Sequence, residues 1–242
     1  MSEALAKRLQ PCGPVRDAEA AARLHERLAE AADADGWRAT LDAAWTALEP
    51  VFAASPYLAG LARRWPDRLR RTLDADPEAR LAEILAATDA LTGAPDEAKA
   101  PLRWLKAELH LLTALCDLGG VWDLDQVTGA LSRFADAAAR TALRITADDW
   151  RRRGRLISAP DDPRGPVPGL FVLAMGKGGA FELNYSSDID LSLFYEPEAL
   201  ETALAEGVEM QGFANRLAQG LTALLAERTA DGYVFRVDLR LR

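Results

Sequence analysis

Apolar positions recur every three to four residues through the first 155 residues, the period of helices that each bury one face. "DAEAAARLHERLAEAADADG" carries such a stripe and stops at Gly36, and "DGWRATLDAAWTALEPVFAAS" follows and meets Pro56. "PDRLRRTLDADPEARLAEILAATDAL" sets charges between leucines, with Asp76-Pro77 as a helix start. In "APLRWLKAELHLLTALCDLGG", Leu102, Leu105, Leu109, Leu112 and Cys116 fall on one face, and Gly119-Gly120 is the stop. Val127, Leu131, Phe134, Ala138 and Ile145 form the next stripe. No exact repeat at a fixed period is visible.

The texture changes at 148–169, where "DDWRRRGRLISAPDDPRGPVPG" is charged and then rich in proline and glycine, the mark of a connection. Beyond it the period shortens. "LFVLAMG" and "DIDLSLFY" have strand length, with a glycine turn between them. "ETALAEGVEMQGFANRLAQGLTALLAER" reads as one long helix, with Met210, Phe213, Leu217, Leu221 and Leu224 on its apolar face. Asp231-Gly232 turns the chain into a third strand, "YVFRVDLRLR". The pattern is α+β, with a helical region at 1–155 and a β, turn, β, α, β segment at 156–242.

Composition narrows the function. About half of the 242 residues are hydrophobic, enough for a sizeable core, and the formal charge of -8 argues against a general nucleic-acid binder. The two cysteines, Cys12 and Cys116, have no metal-ligand spacing and imply no disulfide framework. "MSEALAKRLQPCG" lacks a continuous apolar leader and no run reaches membrane-spanning length, so a soluble cytoplasmic protein is expected.

The candidate chemistry lies in "AMGKGGAFELNYSSDIDLSLFYE". On a strand, Asp188 and Asp190 point the same way. Bounded by apolar residues, they would repel each other and suffer desolvation, which a divalent cation relieves. On the third strand Val234, Arg236, Asp238, Arg240 and Arg242 share one face, and Tyr233, Phe235, Val237, Leu239 and Leu241 the other. Beside the first pair, Asp238 would complete three carboxylates, a number that suits Mg²⁺ in a two-metal site for phosphoryl or nucleotidyl transfer. Gly176, Gly178 and Gly179 permit close approach to a phosphate, and "AFELN" is placed to start a short anion-facing helix. Neither a Walker A loop nor a dinucleotide fingerprint is present. Each feature has a plainer reading. An isolated Asp-x-Asp is common, the arginines suit an exposed edge strand, and "RWLKAEL" and "RRRGR" suit solvated basic surfaces. His25 and His110 read as surface or core fillers within helices.

The order Gly176-Lys177, Asp188/Asp190, Asp238 resembles the nucleotidyltransferase superfamily that includes DNA polymerase β. "GKGGAFELNYSSDIDL" with "VFRVDLRLR" closely resembles the glutamine synthetase adenylyltransferase/adenylyl-removing enzymes, and the likeness extends to "SPYLAGLARRWPDRL" and "LRWLKAELHLLTALCDLGG". Gly178 stands where that family commonly has a larger residue, and Ala180 where glycine is frequent. The resemblance implies a polymerase β-like palm with a short mixed sheet at 156–242, incomplete at its C-terminal end. The family has two such domains in tandem. One removes AMP from a tyrosine of glutamine synthetase by phosphorolysis, releasing ADP, and the other adds AMP from ATP. The helical lead at 1–155 resembles the removing, N-terminal half. Carried over, Asp188, Asp190 and Asp238 hold Mg²⁺. Gly176, Lys177 and Gly179 contact phosphates, and Arg236 or Arg240 neutralises the α-phosphate. Ser186 and Ser187 either ligate a phosphate or shape the turn. Implied partners are glutamine synthetase, the PII nitrogen-regulatory protein, ADP or ATP and inorganic phosphate, with no nucleic acid and no membrane. The alternatives are another adenylyl- or uridylyl-transferring member of the superfamily and a non-catalytic docking fragment.

Overall fold

The structure, a computed structural model, describes residues 3–241. Helices come first: α1 (Leu5–Arg8), α2 (Ala18–Ala34), α3 (Arg38–Ala54), α4 (Pro56–Arg64), α5 (Pro66–Asp74), α6 (Pro77–Asp89), α7 (Pro95–Leu118) and α8 (Leu124–Arg152). Strands and helices then follow: β1 (Leu170–Met175), α9 (Gly176–Gly179), β2 (Ile189–Tyr195), α10 (Pro197–Ala203), α11 (Met210–Ala226) and β3 (Val237–Leu241). The α+β class stands, with a mixed three-stranded sheet. No helix of the described residues is long and apolar enough to cross a membrane. Arg242 lies outside the described residues.

Two compact units divide the chain differently from a cut at 155. One comprises the chain up to Ile84 with Ala107–Ala130; the other comprises Leu85–Lys106 with everything from Leu131 onward. The helical segments of the second unit therefore belong with the sheet.

In the first unit α2 starts on Asp17, whose carboxylate accepts the Ala20 amide at 2.9 Å. Leu28, Leu41, Leu48, Leu69 and Leu73 are all fully buried. Among them sits Glu108 of α7, 2% exposed, which accepts from Arg80 at 2.7 Å and faces Arg71 at 3.0 Å. Burial raises the Glu108 pKa despite these arginines. Such a carboxylate holds its place only while paired. Glu108→Ala should cost about 3–5 kcal/mol in urea unfolding, because the largely buried Arg80 guanidinium loses its counter-ion; a cost below about 1 kcal/mol would mean the pairing is incidental.

In the second unit Leu102, Leu105, Val127's successors Leu131 and Phe134, and Ile145 are buried as their stripes require. Three sequence expectations are corrected here. First, α8 runs on to Arg152, and "RRRGR" is not simply solvated. Arg151 donates to Asp148 (2.7 Å), to the Ser158 carbonyl (2.8 Å) and to the Ala159 and Pro166 carbonyls, and so folds the connection back on the helix end. Second, the expected long helix at 201–228 is two helices. Gly207 has φ +76°, outside the helical region, and Glu209 caps α11 by accepting the Gln211 and Gly212 amides. Third, β3 begins at Val237, not Tyr233. The amides of Val234 and Phe235 both donate to the Leu225 carbonyl at the end of α11, at 2.8 and 3.0 Å. Both side chains are consequently buried, and strand alternation starts only after them.

Candidate active site

β2 is the central strand. β1 pairs with it antiparallel, and β3 pairs with it parallel, with Asp190 directly opposite Asp238. A parallel pair needs a crossover, here supplied by α10 and α11. Pleating sends Ile189, Leu191 and Leu193 into the core and leaves Asp190 exposed. Phe171, Leu173 and Met175 of β1 and Asp238 and Arg240 of β3 are exposed in the same alternation. Asp188, one residue ahead of β2, is exposed as well. The pair is thus not desolvated: its apolar neighbours face the opposite side of the sheet, and the carboxylates meet water.

The three acids are brought to one end of one sheet face, but their side chains do not converge. Among the described residues, no three His, Cys, Asp or Glu side chains form a cation-holding group. Asp188 is taken by Arg236, which donates Nε to Oδ1 and a second N–H to the Ser186 carbonyl at 2.6 Å. That pairing raises the Arg236 pKa. Asp238 has Arg240 at 3.9 Å. Each arginine offsets part of the charge of the carboxylate beside it.

The glycine turn differs from its expected form. The single helical turn is Gly176–Gly179 itself, and "AFELN" does not start a helix; Phe181 has φ +60° instead. Gly176 has φ +55°, and a Cβ on it would lie 2.9 Å from Asp190 Oδ2. Gly179 serves the fold: a Cβ there would stand 2.4 Å from the Ala174 carbonyl oxygen. The Lys177 side chain is exposed and has no partner among the described residues. Ser187 closes the turn through its amide on the Asn184 carbonyl at 3.2 Å, and Ser186 supplies the carbonyl that Arg236 uses. An open groove of about 590 Å³ runs along the free edge of β3, between Asn215, Gln219 and Thr222 of α11 and Val237, Asp238 and Leu239.

Sequence reading missed one layer of the site. The basic edge of "RWLKAEL" is not solvated: Arg103 is 2% exposed and donates to the carbonyls of Leu224, Glu227 and Gly232, while Lys106 donates to that of Tyr233. The available signal was the i, i+3 spacing of these two cations beside the buried Leu102 and Leu105.

Comparison with known proteins identifies the family. A model of the family described as glutamate-ammonia ligase adenylyltransferase matches residues 45–242. The chain belongs to that family. Its relatives include bifunctional glutamine synthetase adenylyltransferase/adenylyl-removing enzymes from Caulobacter vibrioides, 59% identical over 98% of this chain, and from a Bradyrhizobium species, 51% identical over 86%. A Xanthobacter autotrophicus enzyme of the same name is 50% identical over 78% of this chain. The chain spans 24%, 21% and 19% of the length of these relatives, respectively.

Two glycines of the turn at 176–179 offer a direct contrast. Gly179→Ala should destabilise the chain by about 1–3 kcal/mol, since its new methyl meets a backbone carbonyl. Gly178→Ala, whose added methyl would have the Ala174 Cβ as its nearest neighbour outside the turn, 4.0 Å away, should stay within about 0.5 kcal/mol. Thermal unfolding of both variants checks the pair; equal losses would mean the turn does not pack on β1 as described.

Proposed function

We propose that this chain carries the adenylyl-removing chemistry of its family, cleaving AMP from an adenylylated tyrosine of glutamine synthetase by phosphorolysis. The observation that carries the reading is Asp190 opposite Asp238 on an exposed sheet face, with Asp188 two residues away and the bare α-carbon of Gly176 against Asp190. The removing rather than the adding half is supported by the likeness of residues 1–155 to the lead of the family's N-terminal half.

The donor types fit a hard divalent cation: oxygen ligands only, all exposed, two of them paired across neighbouring strands, with no thiol or imidazole among them. Asp188, Asp190 and Asp238 would hold Mg²⁺, which when bound supplies charge neutralisation at the reacting phosphoryl group. The chain's own residues do the rest. Gly176 admits the substrate phosphate near Asp190, and Lys177 and the turn amides, which lack intrahelical acceptors, orient its oxygens. Arg236 or Arg240 balances the charge that develops as an oxygen of inorganic phosphate attacks the α-phosphorus. The bond to the tyrosine oxygen breaks, ADP forms, and the proton of hydrogen phosphate passes to the tyrosine.

A chimera of the Caulobacter vibrioides enzyme, carrying this chain in place of its matching segment, tests the reading. Asp190→Asn and Asp238→Asn should each lower phosphate-dependent ADP release from adenylylated glutamine synthetase by at least about 100-fold. AMP addition from ATP should remain within about twofold of the parent chimera. Loss of addition with removal intact would assign the segment to the opposite activity.

A further inference from the structure

Lys106 is a partly buried cation on α7 with no carboxylate partner among the described residues. Lysines ordinarily extend their ammonium to water. This one donates to the Tyr233 carbonyl at 2.9 Å and lies 4.4 Å from the centroid of the Tyr233 ring. The same tyrosine meets a second cation: its hydroxyl accepts from Arg236 at 3.1 Å, and the Arg236 guanidinium is 6.0 Å from the ring centroid. Arg236 in turn holds Asp188 and the Ser186 carbonyl, and its own carbonyl accepts the Ile189 amide at 2.9 Å, the bond that joins the approach to β3 with β2. A continuous set of contacts therefore runs from Lys106 through Tyr233 and Arg236 to Asp188.

We propose that Lys106 is a positioning residue for the candidate site: by gripping Tyr233 it fixes the segment entering β3, and with it the guanidinium that orients Asp188 and the register that sets Asp238 against Asp190. Burial, then the charges of Arg103 and Arg236, lower its pKa to about 8. Keeping a cation there works against solvation and against like charge, and the aromatic ring and carbonyl of Tyr233 are what it gains. Arg103, three residues earlier, satisfies the carbonyls at the end of α11 and the following turn, so the structural task of holding that turn already has a dedicated residue. Lys106 acts one step further on, at the residue that touches Arg236.

The proposal rests on reading the three aspartates as a cation site, and the test separates the two ideas. Mn²⁺ alone is titrated into the 242-residue chain by electron paramagnetic resonance, and amide hydrogen exchange is followed over residues 229–240. Lys106→Met removes a positive charge; if that charge acted only at a distance, Mn²⁺ would bind more tightly. The positioning role gives the opposite sign. Mn²⁺ affinity should fall about tenfold and exchange at 233–238 should rise, with Lys106→Arg close to wild type in both. Tyr233→Phe, which keeps the ring and loses only the acceptor for Arg236, should weaken Mn²⁺ binding with less effect on exchange. Unchanged exchange in a folded Lys106→Met chain, or unchanged or tighter Mn²⁺ binding, would overturn the proposal. A wild-type chain that binds no Mn²⁺ would instead sink the cation reading, with the exchange data still deciding whether Lys106 holds the segment.

Discussion

The candidate site depends on the parallel pairing of β3 with β2. Asp190 lies opposite Asp238 only in the observed register, and a slip of one residue would turn Asp238 to the covered face and put Val237 or Leu239 in its place. Parallel strands cannot be set by a tight turn, so the register must be fixed by what precedes β3. The end of α11 is one anchor. The Leu225 carbonyl receives two successive amides, those of Val234 and Phe235, and their side chains are anchored in the core. Arg103 binds the neighbouring Leu224 and Glu227 carbonyls. After Phe235 the chain has little freedom in where it joins β2.

Charge is handled in two ways in this molecule. Glu108 is buried and survives because arginines of α5 and α6 reach it. The aspartates at the end of the sheet are left in water, where like charges cost far less, and Arg236 offsets one of them. An exposed group of acids can be reached by a metal ion or a phosphate-bearing substrate without first breaking into a core. The candidate site thus lies on an open face, while the opposite face of the same strands is packed in the core.

Much of this was legible in the sequence. Helical stripes such as Leu102–Leu105–Leu109–Leu112 and the period-two segments at 170–175 and 189–195 identify their elements, because burial of one face imposes the period. The glycine turn and the aspartates stood out as a candidate site from their order and their resemblance to a known family. What the pattern could not show were interactions set by distant backbone. The capture of Val234 and Phe235 by Leu225 shortened β3, and Gly207 broke a helix whose apolar stripe looked continuous. The apolar flanks of Asp188 and Asp190 suggested desolvation, although alternation sends those flanks to the other face. Arg103 and Lys106 looked like surface residues because a cation on a helix gives no sign of which carbonyls will meet it.

The central claim is that adjacent parallel strands present Asp190 and Asp238 as joint ligands of one divalent cation. Crystals of the chain grown with Mn²⁺ and measured for anomalous scattering test it most directly. The account predicts a peak about 2.0–2.3 Å from a carboxylate oxygen of each residue, with Asp188 beside it. Well-ordered Asp190 and Asp238 with no peak between them at millimolar Mn²⁺ would contradict it.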